Sequence, residues 1–487
     1  MDETQFLVPG DTCWRREQAD CVRIIIDGAD YFPAVKRAML NAQHTIMMIG
    51  WDFDTRIEFE PDGATLEGPN TLGEFLSWFT ENREDTRLYM LKWDLGTLQS
   101  LGRGMVPMAV RPMRMSENFH FKLDTSHPAG AAHHSKIIVI DDQIAFCGGI
   151  DMTAGRWDTR DHDDNQPYRK MPGDGEPLKP WHDVTTAVSG PLAKALGDVA
   201  RQRWFRATGQ RINPPGLDGR PVWPGLETTF ERLPVAIART YPDYDGFPEA
   251  REIEALYLRA IAEVRQTFYV ETQYLASARI ARAIAERLAE ADGPEFVIVL
   301  PQKAEGWLRQ KAMDGARERL LNYLWANDPH GRLAAYYPVT QEGAAIYVHA
   351  KVLIVDDWLI RVGSSNLNNR SMGFDTECDL AIDARDCAEP DAVGARILEL
   401  RHDLVCEHLG VGESAFAEQL EASESLISAI EGLRGDGRSL RPFTRGEVKE
   451  DANILAENEL ADPEAVGDGL ADRLMDGIRD LVGRVKS

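Results

Sequence analysis

Two stretches decide the reading: HHSKIIVIDDQIAFCGGID, His133–Asp151, and HAKVLIVDDWLIRVGSSN, His349–Asn366. Laid over one another without gaps, they place His134, Lys136 and Asp141 on His349, Lys351 and Asp356, so both read HxKxxxxD. The register continues, setting Gly148 on Gly363 and Asp151 on Asn366. Farther along, anchoring Ala187-Val188 of WHDVTTAV on Ala381-Ile382 of TECDLAI puts Asp183 opposite Glu377. A single HxK in an apolar strand is ordinarily chance or a core histidine. Two copies in register, each followed by a glycine-containing turn and a polar residue at the same offset, point to one shared site.

The flanks are doubled as well. Val35, Ala38, Met39 and Ala42 recur at helical spacing before HTIMMIGWDFD, and Ile253, Leu256, Tyr257, Ala260 and Ile261 repeat the pattern before QTFYVETQYLA. Each copy then closes with a helix, LAKALGDVARQRW or VGARILELRHDLVCEHLG. The order predicts an α/β protein of two pseudo-symmetric lobes, each a mixed β-sheet flanked by helices, with the site at the lobe interface. Residues 8–215 and 236–425 are the expected lobes. A connector is expected within 206–240, where NPPGLDGRPVWPG breaks any regular pattern. Residues 155–180 read as a long polar loop, either a lid or a solvated insertion. From 436 to 487 the chain reads as an acidic tail to which no chemistry is assigned; its amphipathic end, ADRLMDGIRDLVGRV, suits docking on the body or on a partner.

Composition narrows the classes. The 487 residues are 43% apolar and 27% charged, enough for two cores, and no apolar run approaches the length that spans a bilayer. MDETQFLVPGD has neither the basic start nor the apolar stretch of a secretory signal. A cytoplasmic protein is expected, compatible with peripheral contact at the inner face of a membrane. Six cysteines without CxxC pairing fit free thiols in a reducing compartment. The net charge of −25 disfavours nucleic acid, whose affinity comes from lysine and arginine on phosphates. It does not exclude a small anionic headgroup, which responds mainly to the charges lining its own pocket.

Alternation along a strand sends His134 and Lys136 to one face. A pseudo-twofold relation between lobes would bring His349 and Lys351 to face them. Two lysines and two imidazoles suit a phosphodiester: the ammonium groups stabilise charge on the nonbridging oxygens, one imidazole attacks phosphorus and the other protonates the leaving oxygen. An attacking imidazole must be neutral, so its far nitrogen needs a carboxylate partner; Asp183 and Glu377 are the expected orienters. Asn366 and Asp151 join Lys136 and Lys351 as candidate phosphate-contacting positions. Asp141 and Asp356 complete the motif and count with the catalytic set, although strand ends favour a turn or salt bridge over contact with substrate. A metal at this site is not expected, because a lysine beside each histidine repels a cation and no HExxH accompanies them.

The paired HxKxxxxD strings resemble those of the phospholipase D superfamily over residues 8–425. GGIDMTAGRWDT, PWHDVTTAVSGP, YVETQYL and GSSNLNNRSMGFDTE are similar to stretches of its lipid-cleaving members, and PGDTCWRREQADCVRIIIDGADYF and RWDTRDH to bacterial proteins of that kind. Thr272 departs from the usual asparagine before Gln273-Tyr274, and no appended membrane domain or lipid-targeting module is expected. The resemblance implies that His134 is the nucleophile and His349 the acid. It implies a phosphohistidine resolved by water or an alcohol, without metal or other cofactor, on a phospholipid substrate. A cardiolipin-synthase-like transferase, a metal-independent nuclease and a noncatalytic binding protein are the alternatives. With both motifs in one chain a monomer suffices. MVPMAVRPMRM, residues 105–115, reads as a buried strand or as a surface for acyl chains, and Trp51, Trp157 and Trp181 as core residues or faces for a quaternary ammonium group.

Overall fold

A computed structural model describes residues 5–94, 116–216, 223–304 and 307–445, without the side chains of 307–312. The methionine-rich stretch 105–115 and the amphipathic 471–485 lie outside the described residues. The first half runs β1 (Arg15–Ile26), α1 (Gly28–Leu40), β2 (Thr45–Gly50), α2 (Leu72–Asn82), β3 (Arg87–Trp93), β4 (Phe119–Asp124), β5 (Ile137–Ile140), β6 (Ile144–Gly148), β7 (Trp181–His182), β8 (Val184–Ser189) and α3 (Pro191–Thr208). The second runs β9 (Phe230–Tyr241), β10 (Ala250–Arg251), α4 (Glu252–Glu263), β11 (Thr267–Glu271), α5 (Ala278–Leu288), β12 (Glu295–Val299), α6 (Trp307–Ala326), β13 (Leu333–Val339), β14 (Tyr347–Val348), β15 (Val352–Val355), β16 (Leu359–Gly363) and β17 (Glu377–Asp383). It closes with α7 (Pro390–Leu409), α8 (Glu413–Ser423), α9 (Leu426–Leu433) and β18 (Ser439–Pro442).

The lobes do not keep separate sheets. Antiparallel β1 and β9 pair from Arg15↔Ile237 to Val22↔Phe230 and fuse both halves into one 16-stranded sheet. Outward from that seam the order is β8-β6-β5-β2-β3-β4 on one side and β17-β16-β15-β11-β12-β13 on the other, the same order twice. β18 adds an edge strand beside β13, so part of the stretch read as tail belongs to the sheet. The connector is shorter than expected, since α3 continues to Thr208 and β9 begins at Phe230.

The motif strands are continuous apolar runs because both faces of the sheet are covered. On one face Ile137 and Val139, with Val352 and Ile354, share a core with Leu196 and Trp204 of α3 and Ile397 and Leu404 of α7. On the other, Ile138 and Ile140 pack over Val35, Met39 and Phe75, while Leu353 and Val355 pack separately over Ile253, Leu256 and Ile284. One core therefore bridges the lobes, one lies under the first half, and the second-lobe core also takes in Phe6, Leu7 and Cys13 from the start of the chain. No helix among the described residues is long and apolar enough to cross a membrane.

Candidate active site

Each HxK strand enters the site paired with the acid-bearing strand of the opposite lobe. His134 and Ser135 donate their backbone N–H groups to the Thr376 carbonyl at 2.9 and 3.0 Å. In the other half β14 pairs in parallel with β7, and His349 N–H donates to the His182 carbonyl at 2.8 Å. These crossed ladders deliver the carboxylates. His134 Nδ1 lies 3.0 Å from Glu377 Oε2, and His349 Nδ1 lies 2.6 Å from Asp183 Oδ2. Asp183 and Glu377 thus serve the histidine of the other lobe, a swap that a linear sequence does not display. Neutral imidazoles donating through Nδ1 keep the lone pair on Nε2.

The two acids are held differently. Glu377 accepts from the Ser364 hydroxyl at 2.5 Å and the Ser371 hydroxyl at 2.7 Å. Asp183 accepts the Val184 N–H at 2.9 Å. Burial pushes the Glu377 carboxyl up to about 7 against the pull of the two hydroxyls and both lysines. Burial also holds the His134 imidazolium well below the usual range, with Lys136 and Lys351 adding to it. His349 is lowered by burial, then by Lys351, Arg156, Lys136 and His134. That each histidine feels both lysines, and His349 feels His134, is the electrostatic mark of convergence on one site. Burial lowers Lys351 to about 7, opposed by Asp183.

Lys136 Nζ donates to the His134 carbonyl at 2.6 Å and sits 3.1 Å from Asp151 Oδ2, and Lys351 Nζ donates to the His349 carbonyl. Asp151 therefore pairs with Lys136 and also accepts the Trp51 N–H at 3.1 Å. Asn366 turns its carbonyl oxygen to the Gln273 N–H at 3.3 Å. The aligned glycines have a packing reason: a Cβ on Gly148 would collide with the Thr185 backbone, and one on Gly363 would sit 2.6 Å from Asp379 Cα.

Asp141 and Asp356, counted with the catalytic residues from the motif, are placed at backbone turns rather than beside the two imidazoles. Both stand in left-handed backbone, φ 53° and 48°, at the strand ends away from the histidines. Asp141 accepts the N–H groups of Gln43, His44 and Thr45 at 2.6–2.8 Å, and Asp356 those of Arg265, Gln266 and Thr267 at 2.7–2.9 Å. The motif aspartate thus anchors the start of β2 or β11, and aspartate suits it by tolerating positive φ and hydrogen-bonding backbone. Asp356→Ala is expected to lower stability by about 1–3 kcal/mol, with turnover per folded molecule unchanged. A urea midpoint shift paired with kcat checks this, and a collapse of kcat at unchanged stability contradicts it.

Three features escaped the motif reading. Arg156 lies with its guanidinium carbon 3.9 Å from the Trp181 ring, Trp181 stacks on Tyr347 at 4.7 Å, and Trp181 leans on His349 at 5.0 Å. Ser364 and Ser371 secure Glu377. The doubled HxK register gives these contacts no signal, although Arg156, Trp181, Ser364 and Ser371 lie in the quoted stretches GGIDMTAGRWDT, PWHDVTTAVSGP and GSSNLNNRSMGFDTE. Trp157 is buried in the first lobe's own core. Trp51 stacks on Trp93 at 5.8 Å.

The model of the family described as Phospholipase D matches residues 38–215, which hold His134, Lys136 and Asp183. A second, described as Cardiolipin synthase, PLD-like domain, matches 257–391, with His349, Lys351 and Glu377. The chain belongs to the phospholipase D superfamily. Phospholipase D alpha 1 of Nicotiana tabacum is 26% identical over 81% of this chain and 65% of its own length. Phospholipase D A of Dictyostelium discoideum is 25% identical over 80% and 36%. This chain thus spans 64–71% of the length of the plant relatives it matches, 65% for that of Nicotiana tabacum. Among solved structures, the phosphatidylserine synthase of Haemophilus influenzae Rd KW20 superposes with a TM-score of 0.56 at 13% identity, covering 80% of this chain and 86% of the other; the likeness is one of fold.

Proposed function

We propose that this superfamily member is a phospholipase D or transphosphatidylase that cleaves the distal phosphodiester of a glycerophospholipid. The observation that carries the reading is the reciprocal pairing of His134 with Glu377 and His349 with Asp183, beside Lys136 and Lys351. His134 Nε2 attacks phosphorus, and His349 gives a proton to the headgroup oxygen as the phosphorus–oxygen bond breaks. The phosphatidyl group is left on His134. A water or alcohol then passes its proton to His349 and attacks the phosphohistidine, freeing His134 and giving phosphatidic acid or a phosphatidyl alcohol. Assigning attack to His134 follows the superfamily pattern, since the local symmetry does not choose.

The environment suits these roles. A lowered imidazolium keeps His134 neutral and nucleophilic at neutral pH. His349 must hold a proton, and the phosphodiester's negative charge raises its proton affinity again on binding. The free enzyme should show a narrow bell in kcat/KM. Below about 7 Glu377 gains a proton and no longer accepts from Nδ1, and above about 7 Lys351 loses the charge that stabilises the transition state. Bound anion should move the basic limb of kcat upward while the acid limb of kcat/KM disappears in Glu377→Gln. Rate profiles from pH 5 to 9 check both, and a flat kcat/KM across that range contradicts the assignment.

Phosphatidylcholine vesicles with and without ethanol, analysed by mass spectrometry, test the reading. Phosphatidylethanol is expected with ethanol and phosphatidic acid without. No conversion of any glycerophospholipid would overturn it. The Cardiolipin synthase match to the second lobe favours a second reading, transfer to another phosphatidyl lipid, which phosphatidylglycerol as both donor and acceptor would reveal.

A further inference from the structure

Beside the site, where the strand that delivers Asp183 begins, lies a second cluster that the chemistry above does not use. Asp27, His162, His182 and Glu407 are fully buried, and one donor atom from each lies within 4.8 Å of the others. We infer that these four side chains form a tetrahedral site for a divalent transition metal of the zinc class. The site is separate from the phosphodiester pocket and staples the lobes behind Asp183.

The spacing fits the ion. Zinc with nitrogen and oxygen ligands at about 2.0–2.2 Å has ligand-to-ligand edges of about 3.3–3.5 Å. Around the centre His162 Nε2 is 3.5 Å from Asp27 Oδ2 and 3.2 Å from Glu407 Oε1, and His182 Nδ1 is 2.9 Å from Glu407 Oε1, somewhat inside that edge. Asp27 Oδ2 is buried without a hydrogen bond, and both inward imidazole nitrogens converge on the single oxygen Glu407 Oε1. The remaining oxygens are already occupied: Asp27 Oδ1 accepts the Asp183 N–H at 2.9 Å, and Glu407 Oε2 takes Arg160 Nε at 2.5 Å.

The outer contacts are those of a metal-binding pair of histidines. His162 Nδ1 lies 3.0 Å from Asp158 Oδ2, and His182 Nε2 lies 2.8 Å from Glu271 Oε2. A carboxylate on the far nitrogen fixes the ring and leaves the near nitrogen's lone pair for the ion. Two carboxylates among the four ligands neutralise a divalent charge while both imidazoles stay neutral. Nitrogen and carboxylate donors without water access suit zinc better than calcium or magnesium, which prefer more oxygens. Three ligands come from the first lobe and Glu407 from α7 of the second, so the ion would lock the His182-Asp183 segment against the second lobe.

The test uses the full chain, stripped with a chelator, exposed to zinc sulfate alone and passed through gel filtration. One zinc per chain is expected by elemental analysis, with X-ray absorption reporting two imidazoles and oxygens at about 2.0–2.2 Å. His162→Ala should weaken zinc binding about 100-fold or more, whereas His349→Gln should retain it. If His162→Ala does not fold, the wild-type stoichiometry and spectrum still decide. Wild type that emerges zinc-free overturns the inference and leaves a proton-held ion-pair cluster. Zinc lost in His349→Gln but kept in His162→Ala also overturns it, placing the ion in the phosphodiester pocket.

Discussion

Replacing His134 by alanine should reduce turnover of phosphatidylcholine about 10⁴-fold or more, because it removes the group to which the phosphatidyl moiety is transferred. The two described ionisable side chains bonded to its surroundings are already engaged. Glu377 is committed to the Nδ1 position and to Ser364 and Ser371, and Lys136 is tied to Asp151 and the His134 carbonyl. Rapid acid quench of wild type should trap a phosphatidyl adduct on the peptide carrying His134, and the variant should show none. An adduct on the His349 peptide would reverse the assignment, and residual turnover within about tenfold of wild type would remove the histidine from the mechanism altogether. The His134 side chain is 17% exposed, so the melting transitions of wild type and variant must be compared to separate lost chemistry from lost fold.

His349→Gln should lower turnover of phosphatidylcholine about 10²- to 10⁴-fold, the usual span for a positioned acid. The informative measurement is the leaving-group dependence. A nitrophenyl phosphodiester needs no proton to depart, so its first-turnover burst should recover to near the wild-type rate, after which the covalent intermediate should accumulate because His349 is also needed to activate water. His134→Ala should gain nothing from the better leaving group. Equal losses on both substrates would show that His349 acts by shaping the pocket instead. Its contact with Asp183 at 2.6 Å makes Asp183→Asn the natural companion, expected to mimic the loss in part while leaving the imidazole in place.

The sequence was legible where the chain repeats itself. His134, Lys136, His349 and Lys351 could be paired from the duplicated motif, because alternation in a strand ties an imidazole and an ammonium to one face. Asp183 and Glu377 were found by the same register, as partners of the two histidines. The repeated spacing marked Asp141 and Asp356 as equivalent, and the structure gives each the same left-handed turn and three backbone N–H groups, contacts the motif did not display. Trp181 was read only as a core residue or a face for a quaternary ammonium group; its contacts with Arg156, Tyr347 and His349 were not legible because they join segments apart in sequence.

By itself the sequence determined that the chain is a doubled α/β protein with two histidine–lysine pairs, since hydrophobic period and spacing are local properties. Which carboxylate serves which histidine is not local. It was decided only when β1 paired with β9 and turned two sheets into one, laying Thr376 beside His134 and His182 beside His349. The same closure brought Glu407 to Asp27, His162 and His182. Contacts between distant segments depend on how the strands cross the seam, and spacing along one chain does not encode that.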